Sequence, residues 1–370
     1  MISTKMLLGI LVFVGFIGLI VLSGKMYAYT LRLSPGWSKA AMASGLLILG
    51  GFILSMTMGR SAQSLHPAIY TVINSIAGFG FYLFLGGLAL SIVALGFHLT
   101  KSTLPLFIPI AFLSIALLFG ITGIIQARSL KGVEYSVTLQ NLPKEWDGTR
   151  AVLVADTHFG LVNHVKFSDK IVNGIIALNP DLVLHAGDFY DGPKVATAPI
   201  TASWKRLADT IPVFYAPGNH ETYGNYEEFV NSVRNAGVTV LDNKMVEHKG
   251  VQIAGLTYYG TNAESKAAAQ SALENLSLDR SKTAILINHP PTSLAEAENA
   301  GVNLMVSGHT HNGQFWPMTY VVRPIYGIYY YGLNLFNEMQ VLTTSGVGTF
   351  GPPFRLFNTP ELVVITFKSK

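Results

Sequence analysis

The chain has no cysteine among its 370 residues. Disulfide bonds, thiolate nucleophiles and cysteine-based metal sites are therefore excluded, so any metal site must use other side chains. Charged residues are also scarce, at 12% of the chain, against about 25% in soluble domains. The redox state of the compartment stays open.

Acidic side chains are missing from the N-terminal third of the chain. None precedes Glu134, whereas eight Lys and Arg residues lie up to Lys131, so the first part carries a net +8 and the remainder −4. This contrast predicts an apolar, basic region over residues 1–130 and an ordinary globular domain over 131–370. Because the basic excess belongs to the apolar region, nucleic-acid binding is not expected.

Four stretches of the N-terminal region lack Asp, Glu, Lys and Arg. They cover residues 6–24, 40–59, 69–99 and 104–126. A membrane-spanning helix needs about 20 apolar residues, so the sequence predicts a multi-pass membrane protein with four transmembrane helices. A buried core helix is the alternative for any single stretch, but it does not suit four in succession. A cleaved signal peptide is disfavoured for the first stretch, because three further spans follow.

The side of the membrane is poorly determined by charge. Four spans put four basic residues on each side, which is a tie under the positive-inside rule. Three of them, Lys25, Arg32 and Lys39, crowd the first loop. This favours a cytoplasmic first loop and an extracytoplasmic C-terminal domain.

The C-terminal domain alternates short apolar runs with helical patterns, which is typical of layered α/β folds. The runs that read as buried strands before loops are TRAVLVADTHFG, DLVLHAGDFYDG, IPVFYAPGNHETYG, KTAILINHPP and VNLMVSGHTHNG. Three further strands, in GVQIAGLTYYG, MQVLTTSGVGTFG and ELVVITFK, have no helix between them. We therefore predict a two-sheet α/β sandwich with helices outside.

Each of the five runs ends in side chains that bind metals. They are Asp156, His158, Asp188, Asn219, His220, His289, His309 and His311. Ligands of open α/β sheets bind beyond the carboxyl ends of strands, so these residues are expected to form one site. In the pairs Asp156/His158 and His309/His311 the two residues are two apart, and in extended backbone both would point the same way.

A pair of metal ions suits this set of side chains. Two ions about 3.5–4 Å apart need a bridging group, and the carboxylate of Asp188 can provide one. Mixed oxygen and nitrogen ligands favour Mn, Fe, Zn, Co or Ni over Ca or Mg. Glycine stands before three of the candidates, at Gly187, Gly218 and Gly308, where the backbone can turn sharply.

The motifs DTH, GDFYDG, GNHE, NHPP and GHTH stand in this order and resemble those of the calcineurin-like metallophosphoesterases. The resemblance covers about residues 145–370. The tail SGVGTFGPPFRLFNTPELVVITF is similar to that of the membrane-anchored bacterial branch of the family. The resemblance implies an enzyme, namely a hydrolase of phosphomonoester, phosphodiester or pyrophosphate bonds.

The resemblance also implies a role for each motif residue. The first metal would be held by Asp156, His158, Asp188 and His311. The second would be held by Asp188, Asn219, His289 and His309, and a hydroxide bridging the ions would attack phosphorus. His220 would contact the phosphate or protonate the leaving oxygen.

The same residues and spans also allow less specific interpretations. Any single histidine of the set could be structural, and the neighbouring Asp191 and Glu221 suit either support of the ligands or exposed loop positions. A phospho-ligand sensor coupled to the membrane helices is the main alternative function. A permease with an accessory domain is weaker, because the spans lack the charges that mark transport paths.

The stretch VVRPIYGIYYYGLNLF is aromatic and nearly uncharged. It reads either as a loop that covers the core or as an interfacial belt, since Tyr favours the membrane boundary. The partners expected of the chain are a lipid bilayer and a phosphate ester, with lipid-linked substrates suggested by the membrane tether. A soluble nucleotide, the native metals and the oligomeric state stay open.

Overall fold

The computed structural model describes residues 4–61, 66–192, 195–260 and 262–370, with the side chains of residues 4–14, 16, 55–61 and 263 left out of the description. Contacts divide the chain into two compact units. One, called here the N-terminal unit, consists mainly of helices that precede Gln126 and also includes Gly351–Pro353. The other, called here the C-terminal domain, is made chiefly of Gln126–Phe350 and Phe354–Lys370.

The N-terminal unit contains four helices. They are α1 (Thr4–Thr30), α2 (Pro35–Ser61), α3 (Pro67–Leu99) and α4 (Phe107–Gln126). Proline opens α2 and α3, since the first turn of a helix leaves its N–H groups unpaired in any case. Each proline therefore costs no hydrogen bond at that position.

Three spans of the described residues are long and apolar enough to cross a membrane: Pro35–Leu54, Pro67–Leu99 and Phe107–Gln126. The predicted count of four is thus one too high for this part of the chain. The first predicted span, residues 6–24, lies on α1, but most of its side chains fall outside the described residues.

The C-terminal domain contains two six-stranded sheets. The first has the order β1-β12-β2-β3-β4-β5 and the second β10-β11-β9-β8-β7-β6. The strands of the first sheet are β1 (Lys131–Leu139), β2 (Arg150–Val154), β3 (Leu182–His185), β4 (Val213–Tyr215), β5 (Thr239–Val240) and β12 (Glu361–Ser369). Those of the second are β6 (Lys244–His248), β7 (Val251–Gly255), β8 (Ala284–Ile287), β9 (Leu304–Ser307), β10 (Gly332–Phe336) and β11 (Met339–Thr343).

Helices connect many of these strands. They are α5 (Val165–Ala177), α6 (Thr197–Ala208), α7 (Tyr226–Asn235), α8 (Ala263–Leu276), α9 (Leu294–Ala300) and α10 (Thr319–Tyr326). Short 3-10 turns follow β4 at His220–Tyr223, β9 at His311–Gly313 and α10 at Gly327–Tyr330. The predicted two-sheet α/β sandwich is confirmed, whereas β1, β5, β6, β10, α6 and α10 were not predicted from the sequence.

The strand β2 illustrates why the central strands are continuous apolar runs. Ala151 and Leu153 point into the core between the two sheets. Val152 and Val154 lie in a second core under α5, α6 and α7. A strand buried on both faces cannot alternate polar and apolar residues, so every side chain from Ala151 to Val154 is buried.

The strand directions bring the motif loops to one edge. The strands β2, β3 and β4 run parallel in the first sheet, and β7, β8, β9 and β11 run parallel in the second. The five motif loops follow β2, β3, β4, β8 and β9 directly. Carboxyl ends of parallel strands share an edge, so each sheet delivers its motif residues together.

Candidate metal centre

The first cluster of motif side chains consists of Asp156, His158 and His311. The Nε2 atoms of His158 and His311 are 2.9 Å apart. The Oδ1 atom of Asp156 lies 3.5 Å from Nε2 of His311 and 4.0 Å from Nε2 of His158. All three side chains are buried, so three potential metal ligands converge in a space without bulk water.

The second cluster consists of Asp188, His289 and His309. The Oδ2 atom of Asp188 is 3.1 Å from Nε2 of His289, which is itself 3.2 Å from Nδ1 of His309. His289 is oriented by its other ring nitrogen, Nδ1, which lies 2.6 Å from the carbonyl oxygen of Ala186. That contact directs Nε2 towards Asp188.

Asp188 lies between the two clusters. Besides its contact with His289, its Oδ2 atom is 3.8 Å from Nε2 of His158 in the first cluster. Its other oxygen, Oδ1, accepts a hydrogen bond of 2.9 Å from the backbone N–H of His220. One carboxylate oxygen is therefore within reach of ring nitrogens from both clusters.

Asn219 has an oxygen available for a further ligand contact. Its amide nitrogen donates to the hydroxyl of Tyr223 at 3.0 Å. Its Oδ1 atom is buried and has no hydrogen-bond partner among the described residues. Buried polar atoms normally have partners, so this oxygen fits a group that binds from within the site.

The backbone conformation of the pairs Asp156/His158 and His309/His311 differs from the extended one that we expected. Asp156 and His158 have φ values of 56° and 46°, and His309 and His311 have 69° and 50°. These are left-handed conformations, so the prediction of extended backbone at the two pairs is wrong. Such conformations cost of order 1–3 kcal/mol each and cluster at functional sites.

Two of the motif glycines are required by close approach. A Cβ atom on Gly218 would lie 2.5 Å from the backbone nitrogen of Asp188, and one on Gly308 would lie 2.5 Å from Cβ of Ala155. Real side chains do not tolerate such distances, so the loops pass each other only because these positions have no side chain.

Most of the clustered imidazoles are neutral. Burial lowers the pKa of His158 to about 4 and that of His309 to about 3, and burial also holds the pKa of His311 well below its usual value. His289 differs, since burial disfavours its charge but the carboxylate of Asp188 raises its pKa to about 9. Neutral imidazoles have the free lone pair that a metal ion requires.

His220 and Asp191 form a pair at the edge of the clusters. The Nδ1 atom of His220 is 3.0 Å from Oδ1 of Asp191, and its Nε2 atom is 3.9 Å from Oδ2 of Asp188. Burial disfavours the charged form of His220, but the carboxylates of Asp188 and Asp191 raise its pKa overall. Asp191 is thus in contact with a motif histidine and is not an unattached loop acid.

Glu221 is fully buried and contacts the two loops that follow β3 and β4. Its carboxylate accepts hydrogen bonds from the backbone N–H groups of Asp188 at 3.1 Å, Tyr190 at 3.0 Å and Gly218 at 2.6 Å. It therefore ties the loop after β3 to the loop after β4. The interpretation of Glu221 as an exposed loop residue is wrong.

Two tyrosines and one arginine near the site were not found from the sequence. The rings of Tyr258 and Tyr326 each lie 5.9 Å from that of His309. Arg355 is fully buried, with Nη2 3.3 Å from Nδ1 of His311. The only sequence signal for Arg355 is a lone charge within GPPFRLFNTP.

Residues 149–313 match the family model of the calcineurin-like phosphoesterases. An uncharacterized metallophosphoesterase of Campylobacter jejuni is 28% identical over 260 residues, which cover 70% of this chain and 68% of that protein. An uncharacterized metallophosphoesterase of Helicobacter pylori is 26% identical over 333 residues, or 86% and 89% of the two chains. A transmembrane protein with a metallophosphoesterase domain from Danio rerio is 26% identical over 279 residues, or 69% and 62%.

Proposed function

Because the chain belongs to the calcineurin-like phosphoesterases and is thus a phosphoester hydrolase, we propose that its C-terminal domain works with two metal ions. The first would be held by Asp156, His158, Asp188 and His311. The second would be held by Asp188, Asn219, His289 and His309. The observation that carries this proposal is the position of Asp188 Oδ2, at 3.8 Å from His158 Nε2 and 3.1 Å from His289 Nε2.

The residues fit such ions in charge as well as in position. Two buried carboxylates, from Asp156 and Asp188, offset the positive charge of the ions, and the neutral imidazoles donate lone pairs. The unpartnered Oδ1 of Asn219 supplies one more oxygen. This mixture of nitrogen and oxygen atoms suits Mn, Fe, Zn, Co or Ni.

When bound, the two ions would activate a water-derived nucleophile and neutralise charge on the phosphate oxygens in the transition state. The protein residues around them complete the reaction. The carboxylates of Asp188 and Asp191 raise the pKa of His220, which favours the proton that this ring would use to contact the phosphate or protonate the leaving oxygen. Asp191 fixes the ring of His220 through the 3.0 Å contact with Nδ1.

The substrate is a phosphomonoester, a phosphodiester or a pyrophosphate. The apolar helices that precede the domain support a location at a membrane, where a lipid-linked phosphate ester would reach the domain readily. We propose the extracytoplasmic side for the domain, since Lys25, Arg32 and Lys39 crowd the interval between the first two predicted spans, residues 6–24 and 40–59, and basic residues favour the cytoplasmic side.

The proposal is tested with the detergent-solubilised full chain. The chain is stripped of metal, reloaded with Mn, Fe, Zn, Co or Ni, and given monoester, diester and pyrophosphate substrates. We expect turnover that depends on metal and disappears in Asp188→Asn. Asp209→Asn is the matched control, because that side chain is 56% exposed and pairs only with Lys205 among the described residues.

Three results would contradict the proposal. Turnover by the metal-free chain would exclude metal-dependent catalysis. Full metal content in Asp188→Asn would exclude a shared ligand at this position. Binding of metal without turnover of any ester, lipid-borne substrates included, would instead favour the sensor function.

A further inference from the structure

The helix α10 presents an apolar face to the outside of the domain. Tyr320, Val321 and Ile325 are 68%, 55% and 65% exposed, and Ile328 in the following turn is 55% exposed. At 100° per residue, the three positions on α10 and Pro324 fall within an arc of about 140°, and Ile328 lies in the 3-10 turn that follows the helix. We call these five residues the outer face of α10. An apolar patch of this kind on a folded domain marks a surface that contacts a partner.

The opposite side of α10 is fastened to the metal centre. The ring of Tyr326 lies 5.9 Å from that of His309. Thr310, between the two histidines of GHTH, donates its hydroxyl to the carbonyl of Tyr330 at 2.6 Å. Thr319 donates to the carbonyl of Asn312 at 3.0 Å. Only α10 itself therefore separates a partner bound to the outer face from the candidate metal ligands.

The segment after α10 also lies beside the start of the domain. The hydroxyl of Tyr331 donates to Glu361 at 2.9 Å, and Glu361 is paired with Lys131 in the register of β12 and β1. Lys131 follows Gln126, the last residue of α4, by five residues. The C-terminal domain therefore begins beside the segment that follows α10.

The charge around α10 suits a lipid surface. No acidic residue occurs between Glu298 and Glu338, and Arg323 is the only charged residue in that interval. The segment itself therefore presents no acidic side chain to anionic headgroups, and its one exposed arginine would attract them. Tyrosine and aliphatic residues beside a basic residue are typical of helices that lie in the membrane interface.

We propose that the outer face of α10 inserts into the lipid–water interface of the membrane that the apolar helices cross. Insertion would hold the rim formed by His309 and Tyr326 at the level of the headgroups. If the proposed function is correct, the preferred substrates are then phosphate esters carried by lipids in that same membrane.

The absence of cysteine allows a direct test in the full chain. Single cysteines at Val321→Cys and Ile325→Cys are spin-labelled, and the chain is reconstituted in vesicles of phosphatidylcholine and phosphatidylglycerol. Power-saturation electron paramagnetic resonance compares collisions with oxygen and with a water-soluble nickel chelate. Ala268→Cys is the control, since it is exposed on α8, and α8 follows β7 near the far edge of the second sheet.

We expect the labels at 321 and 325 to collide mainly with oxygen and the label at 268 mainly with the nickel chelate. Mainly nickel collisions at all three sites would overturn the proposal. Spin–spin broadening at 321 that depends on protein density would also overturn it, because the outer face would then bind a second copy of the chain.

An activity measurement tests the substrate class separately. In Val321→Asn/Ile325→Asn, we expect hydrolysis of phosphatidic acid in vesicles to fall by about tenfold relative to hydrolysis of p-nitrophenyl phosphate, since two exposed apolar anchors are lost. An unchanged ratio would remove lipid-borne esters as the preferred class. If neither ester is hydrolysed, the proposed function fails for monoesters. The spin-label measurement still determines whether the outer face of α10 inserts into the membrane interface.

Discussion

Arg355 and His311 are joined inside the domain, with Nη2 of the arginine 3.3 Å from Nδ1 of the imidazole. The same guanidinium donates to the carbonyls of Ser345 at 2.8 Å and, through Nε, of Gly348 at 3.1 Å. The N–H of Gly348 in turn donates to the carbonyl of Asp156 at 2.8 Å. Arg355 therefore links the loops that position two members of the first cluster.

Replacing Arg355 with Met should destabilise the domain by about 3–5 kcal/mol, because buried carbonyls lose a charged donor. Burial lowers the pKa of Arg355 to about 10, so the side chain is still charged at neutral pH. We expect the free energy of unfolding, measured with guanidinium, to fall and the metal content per chain to fall with it.

Arg355→Lys separates charge from geometry. Lysine keeps the charge but has no planar fork, so we expect a loss intermediate between wild type and Arg355→Met. Arg206→Lys, on the exposed side of α6, should change neither quantity. Equal stability of Arg355→Met and wild type would show that the guanidinium does not hold these loops.

The strand ends could be predicted from the sequence because their chemistry is local. A run such as AVLVADTH shows both a strand buried on two faces and the ligand candidates that follow it. The contact between Arg355 and His311 joins residues 44 apart. No local pattern encodes such a contact, and a lone arginine in a proline-rich stretch does not indicate burial.

Asp191→Asn should lower turnover by about 10- to 100-fold, a typical effect for a residue that orients another functional side chain. Asparagine can keep a hydrogen bond to His220 but not the negative charge that raises its pKa. We expect steady-state kinetics to show the loss in kcat and not in metal content. A metal content that falls in parallel with kcat would instead assign Asp191 to metal binding, since it also lies 3.9 Å from His158 Nδ1.

Gly308→Ala should reduce turnover by about 100-fold, because displacement of a site loop by about 1 Å has effects of this size. The new Cβ atom would lie 2.5 Å from Cβ of Ala155, so the loop that carries His309 must move. Gly132→Ala is the matched control, since its Cβ would lie 3.8 Å from Leu178 Cδ2, which is an ordinary contact. A fully active Gly308→Ala would mean that the loop position is not critical.

The left-handed backbone of the ligand pairs could not be predicted from the residue pattern. Spacing of two residues correctly suggested that Asp156 and His158 converge, but not the left-handed conformation by which they do so. That conformation is imposed by contacts distant in sequence, such as the hydrogen bond from His158 N–H to the carbonyl of Asp188 at 3.1 Å. The outer face of α10 was likewise visible only as an aromatic composition.

His185 provides a test of electrostatics at a buried histidine that is not itself a proposed ligand. It lies in an aromatic cluster, with its ring 5.3 Å from those of Trp204 and Tyr215, and burial lowers its pKa to about 3. An unfolded histidine has a pKa of about 6.5. Between these values the unfolded chain binds a proton that the folded chain does not, so acidification below about pH 6.5 destabilises the fold.

The variant His185→Phe should remove this part of the pH dependence and keep the aromatic packing. From pH 7 to pH 5, the wild type should lose about 2 kcal/mol more of its free energy of unfolding than the variant, since one proton is linked over about 1.5 pH units. Guanidinium unfolding of the metal-free chain, followed by tryptophan fluorescence, measures both slopes without contributions from metal release. Parallel slopes would mean that His185 titrates in the folded protein at an ordinary pKa, and its aromatic surroundings would then have to be accessible to water.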